Sequence, residues 1–190
     1  LQILERDFPE AAGRIEIVNA ECNSWLQDRC LNYHWASNRA MLFLDPFGMQ
    51  VEWKTMEAIA QTQAIDVLIL FPVGVAVNRL LRKYRDEIDP RWRACLDRLF
   101  GTPVWIDDFY RETPLDGLFG KTTEIKKACD FNSICRFYLK RLKTIFSGVA
   151  DITRPLINSK GNELFHLCFA AGNPKGSKTA VKIATDVLKG

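Results

Sequence analysis

The sequence lacks any apolar run long enough to cross a membrane, since no stretch approaches the roughly 18 uninterrupted apolar residues that a span requires. It has no signal-peptide pattern, for it opens on the charged, amphipathic segment LQILERDFPEAA. Its first residue is Leu rather than Met, so the start of the protein is expected upstream. Excess charge of one sign is scarce too: a formal net charge of +3 over 190 residues permits an anionic partner without selecting one. The cysteines at 22, 30, 95, 129, 135 and 168 include no pair at the short spacing of a zinc knuckle or redox motif. They read as reduced thiols of a cytoplasmic protein, several inside apolar segments where a free Cys acts as a small hydrophobe. His34 and His166 stand alone, without a second ligand nearby in sequence, which argues against a metal site and against a Cys–His or Ser–His–Asp nucleophile. Repeats and low-complexity tracts are missing as well.

What is present is enough apolar sequence, 47%, for the core of one domain spanning 1–190, with 26% charged residues to solvate its surface. Residues 1–12 read as the tail of a helix. RIEIVNAE alternates Ile15 and Ile17 with polar neighbours and reads as a short strand. A helix carrying Trp25, Leu26 and Cys30 follows, then AMLFLD, apolar at successive positions as in a strand covered on both faces. A helix over about 51–63 places Trp53, Met56, Ile59 and Ala60 on one stripe. IDVLILFP reads as a second doubly buried strand, and a helix over 74–85 exposes Arg79, Arg82, Lys83 and Arg85. Residues 86–122 form an irregular insertion with one short helix from Trp92 to Phe100. A long helix with Ile134, Tyr138, Leu142 and Ile145 inward leads to two strand-like runs, DITRPLINS and NELFHLCFA, joined at Lys160-Gly161 as a hairpin. The last helix has Ala180, Ala184, Val187 and Leu188 on one face and ends at Gly190.

Alternation of this kind predicts an α/β fold, a Rossmann-like, mostly parallel sheet with helices on both faces and a C-terminal antiparallel β-hairpin. Ligands of such sheets bind beyond the carboxyl ends of the strands. Asp45-Pro46-Phe47-Gly48 falls at that place. Asp45 can accept a hydrogen bond from an amino group, Pro46 lacks an N–H and has a fixed φ, and Phe47 offers a flat face to a base. The alternative is a strand-to-helix turn in which Asp45 only satisfies backbone donors.

The strings RAMLFLDPFGMQVEWKTMEAIAQTQAIDVLILFPVGVAVNRLL, LFGTPVW and NSKGNELFHLCFAAGNPKG resemble the three-Cys-motif partner protein family, over nearly the whole chain. The resemblance implies a class I methyltransferase-type sheet, an S-adenosylmethionine cofactor and a partner resembling radical-SAM-type proteins with three cysteines. Asp45, Pro46 and Phe47 take the place of the Asp-Pro-Pro-Tyr motif of amino-methyltransferases acting on nucleic acids, with Phe47 and Gly48 departing at the third and fourth positions. NAECN is similar to the family's Gly-Asp-Ala-Asn stretch, which makes Glu21, Cys22 and Asn23 the cofactor-side residues; the alternative for Glu21 is a solvated loop acid or cap. The family's first strand and glycine-rich loop would precede Leu1. The resemblance thus implies methyl transfer to an amine, with a nucleic acid as the acceptor class, or else a non-catalytic accessory module for the three-cysteine partner.

Two further stretches are accounted for without chemistry. GNPKGSKT, 172–179, has Ser177 where a phosphate loop needs Gly, and no downstream strand supplies a metal-binding Asp, so it reads as a basic strand-to-helix turn. Arg79, Arg82, Lys83 and Arg85, with Arg136, Lys140, Arg141 and Lys143, could track a phosphate backbone, but such charge commonly only solvates a helix face.

Overall fold

The protein is seen in a computed structural model that describes residues 6–9, 13–117 and 120–190, with the side chains of 115–122 outside the description. The expected helix over 1–12 therefore lies mostly outside the described residues. The elements follow in the order α1 (Cys22–Asn32), β1 (Ala40–Leu44), α2 (Trp53–Gln61) and β2 (Ile65–Phe71). After a π-helical turn at Val73–Val77 come α3 (Pro90–Phe100), α4 (Trp105–Phe109), β3 (Tyr110–Gly117) and β4 (Gly120–Lys127). The chain then forms α5 (Phe131–Leu142), β5 (Gly148–Val149), β6 (Arg154–Ile157), β7 (Glu163–Ala171) and α6 (Ser177–Lys189).

The main sheet runs β1-β2-β7-β5, with β6 pairing β7 on the same side as β5. Among the described residues only β1–β2 is parallel; β2–β7, β5–β7 and β6–β7 are antiparallel, and β3–β4 is a separate antiparallel ribbon. This overturns the expected mostly parallel, Rossmann-like methyltransferase-type sheet. The reason lies at the turn feeding β7, which sits where β2 ends: a Cβ on Gly74 would stand 2.0 Å from the carbonyl oxygen of Glu163. Entering from that end, β7 must run against β2, pairing His166 with Phe71 and Ala170 with Val67.

Cores lie on both faces of the sheet. Val67, Ile69, Phe71, Cys168 and Ala170 belong to the larger one, with α2, α3 and α5. Phe169 and Ala171 belong to the smaller, with Leu188 of α6. Phe71 stacks on Tyr138 with centroids 4.2 Å apart, and Phe100 meets Phe109 and Phe137 edge-on at 5.8 and 5.2 Å. Each ring buried this way contributes about 1.5–3 kcal/mol relative to exposure. Gly101 ends α3 with φ +66°, the left-handed conformation that glycine adopts without a steric cost.

Three local expectations also change. AMLFLD is not covered on both faces: β1 is an edge strand, and Met41 and Phe43 are 60% and 56% exposed. Both lie across from Asp66 and Leu68, on the sheet face whose helix, α6, packs over β7 and β5. RIEIVNAE joins neither sheet. The helix over 74–85 shrinks to the π-helical turn and a short α-helical turn, because Leu81 turns extended to bury itself and Arg82 settles over the Trp92 ring at 4.7 Å.

Candidate functional site

Asp45 and Pro46 leave β1 at its carboxyl end, beside the parallel neighbour β2. Gly48 turns the chain with φ +67°, which leads it to the start of α2. Asp45 is exposed, and its carboxylate has no hydrogen-bond or ion-pair partner among the described residues. It satisfies no backbone donor, so the turn is held by other means. Asp45 and Pro46 line a cleft of about 410 Å³ whose remaining walls are largely apolar, among them Val18, Ala20, Trp25 and Val51. Phe47 is not part of that lining. It is 87% exposed.

Of the cofactor-side residues only Cys22 lines this cleft with Asp45; Glu21 and Asn23 do not, and both are committed to structure. Glu21 is the N-cap of α1: Oε1 accepts the Asn23 N–H at 2.9 Å and Oε2 the Ser24 N–H at 2.7 Å. These backbone donors hold its carboxyl at about 2, from an ordinary 4.5. Asn23 donates from Nδ2 to the Gln50 carbonyl at 2.8 Å, and its Oδ1 accepts the Glu52 N–H at 2.9 Å and the Thr55 hydroxyl at 2.7 Å. It thus ties the start of α1 to the segment that follows Asp45. Cys22 lines the cleft, with its thiol pushed up first by burial and then by the Glu21 charge. For S-adenosylmethionine, the fit is mainly of walls: Val18, Ala20, Cys22 and Pro46 suit a flat apolar surface, the Asn23 amide is fully engaged, and Glu21 keeps only one acceptor site, on Oε2, beyond its capping bonds.

Elsewhere, His166 is alone in sequence but not in space. Its Nδ1 is 2.7 Å from the Thr153 hydroxyl and its Nε2 3.1 Å from the Glu163 carboxylate, and the ring is 2% exposed. In the neutral ring Nε2–H donates to Glu163, and Nδ1 accepts from Thr153. Ser177 of the GNPKGSKT turn is buried and donates to the Pro174 carbonyl at 3.3 Å, closing the turn on itself.

Sequence reasoning missed a second cleft, of about 770 Å³, between the π-helical turn, the start of α5 and the turn before β7. Its asparagines at 78, 132, 158 and 162 were the available signal, scattered over three segments that only the antiparallel entry of β7 brings together. No family model, no curated protein and no solved structure matches the chain.

Proposed function

We propose that the chain carries the acceptor side of a methyltransferase that moves a methyl group from S-adenosylmethionine to an amine, with a nucleic acid as the class of acceptor. The observation that carries this reading is the unpaired Asp45 carboxylate beside Pro46, at a strand end and on the rim of a cleft. An amine N–H donated to that carboxylate has its lone pair turned away from Asp45, towards the cleft, and such positioning is where the rate gain would come from. Phe47 enters as an exposed platform on which a base can stack once the acceptor is bound. The donor would lie against Val18, Ala20, Cys22 and Pro46 and supply the electrophilic methyl.

The test is transfer of isotopically labelled methyl from S-adenosylmethionine to single-stranded nucleic acid by the full protein. Asp45→Ala should lower the rate on the order of 10²-fold, the cost of losing the amine's placement. No transfer by the wild type, or an Asp45→Ala variant of equal rate, would sink the reading.

A second reading, an accessory module for a three-cysteine radical-SAM-like protein, is favoured by the uncovered face of β1. Met41 and Phe43 there form an apolar surface next to an edge strand. Binding of such a partner to the full protein, lost on Met41→Lys, which lies outside the Asp45 cleft, would support it.

A further inference from the structure

The 770 Å³ cleft is built from three segments remote in sequence: Gly74, Asn78 and Arg79 after β2; Asp130, Phe131 and Asn132 at the start of α5; and 158–164 before and within β7. Its volume is within the usual range of about 300–1,000 Å³ for ligand sites. Two of its walls are set. Gly74 presses directly on the Glu163 carbonyl, and Asn158 closes its own turn, with Oδ1 accepting the N–H groups of Lys160 and Asn162 at 2.9 and 3.0 Å.

The lining groups divide into those already engaged and those left over. Asp130 caps α5 by accepting the Ser133 N–H and hydroxyl, and Glu163 faces His166. The Lys127 ammonium donates to Oδ1 of Asn78. The side chains of Arg79, Asn132 and Asn162 have no hydrogen-bond or ion-pair partner among the described residues. Phe131, half-buried, adds an apolar wall.

That remainder specifies a ligand. Asp130 and Glu163 outnumber Arg79, so the cleft disfavours a free anion. Two side-chain amides, each with donors and an acceptor, suit a neutral, planar group with donors and acceptors on its edge, and an aromatic wall suits its face. We infer that this cleft is a nucleobase site for a single-stranded nucleic acid, in which Asn132 and Asn162 read the base edge, Phe131 packs on the base, and Arg79 meets a flanking phosphate. A single strand is required because a base inside a duplex cannot present its edge and face to such a cleft without leaving the stack. The cleft lies beyond the end of β2, between it and the turn that enters β7, on the side of β2 away from β1. The inference shares its nucleic-acid acceptor with the proposed function.

Fluorescence anisotropy of a labelled single-stranded oligonucleotide, titrated with the full protein in the absence of any methyl donor, tests it. Substitution of Arg79, Asn132 and Asn162 together by Ala, all at exposed positions without partners in the fold, should weaken binding by at least about tenfold. Arg79→Ala alone should also reduce the salt slope by about one, whereas Asn132→Ala should leave it unchanged. Lys178→Ala, exposed on α6, should bind as the wild type does. Failure of the wild type to bind, or equal binding by the triple variant, overturns the inference. Asp45→Ala separates the two claims: unchanged binding with lost methyl transfer upholds both, and binding without any methyl transfer by the wild type defeats the enzyme reading alone.

Discussion

Asn23 accepts the backbone N–H of Glu52 through Oδ1 at 2.9 Å, so one side chain at the start of α1 fixes the end of the loop that begins at Asp45. The same residue holds the Gln50 carbonyl and the buried Thr55 hydroxyl. Placement of the Asp45 carboxylate therefore depends on a residue 22 positions earlier. Asn23→Ala should destabilise the fold by about 1–3 kcal/mol, the cost of leaving such groups without partners. Urea unfolding gives that number, and hydrogen exchange should show faster opening over 45–52 than elsewhere. Exchange there that matches the wild type would mean the bracket does not hold the loop.

Glu21 gives the second prediction, through pH. Its folded-state value of about 2 lies below the ordinary 4.5, so the stabilisation is fully present above about 4.5 and is lost as pH falls towards 2. Asp130, lowered by the Ser133 hydroxyl and then by its N–H, acts in the same direction. Thermal midpoints of the wild type should fall steeply across that window, and those of Glu21→Gln less steeply. Parallel curves would remove the cap's charge from the account.

The strand end at Asp45 was legible because Pro and Gly punctuate the apolar run AMLFL, and α3 and α5 because their apolar stripes recur at helical spacing. The direction of β7 was not. ELFHLCFAA is a nearly continuous apolar run that reads alike whichever way it runs, and its partner β2 is remote in sequence, so direction is set by where Gly74 meets Glu163. The ribbon β3–β4 escaped notice because YRETPLDG and GKTTEIKK carry too few apolar residues to show a period of two. Glu21 was read as a cofactor ligand or a cap from one residue type that serves both, and only the positions of two N–H groups separate them. The exposure of Met41 and Phe43 could not be read from an apolar run that a covered strand would share.

Gly101 offers a comparison between two glycines of similar backbone. A Cβ there would stand 2.1 Å from Cδ1 of Trp53, at φ +66°, while Gly161 at φ +78° has nothing within 4 Å. Gly161→Ala should cost only the left-handed backbone, about 1–2 kcal/mol. Gly101→Ala should cost that and a further 1–3 kcal/mol or so for displacing Trp53, which also carries Arg141 over its ring at 4.6 Å. Chemical denaturation of both variants measures the difference. Equal losses would mean that Trp53 yields freely.

Met41 and Phe43 decide between a sheet face that is merely exposed and one that attracts ligands. Both protrude from the edge strand, in the part of the sheet that α6 leaves open, and neither belongs to either core. Replacing both with Lys should therefore leave folding stability within about 0.5 kcal/mol, as for ordinary surface substitutions. The same double variant should bind less of an environment-sensitive apolar dye, since the two side chains supply a contiguous patch and charge at an edge strand discourages further pairing. If stability falls by several kcal/mol, the two side chains are buried in the folded protein, and the open face of β1 is covered by something that the edge position alone does not reveal.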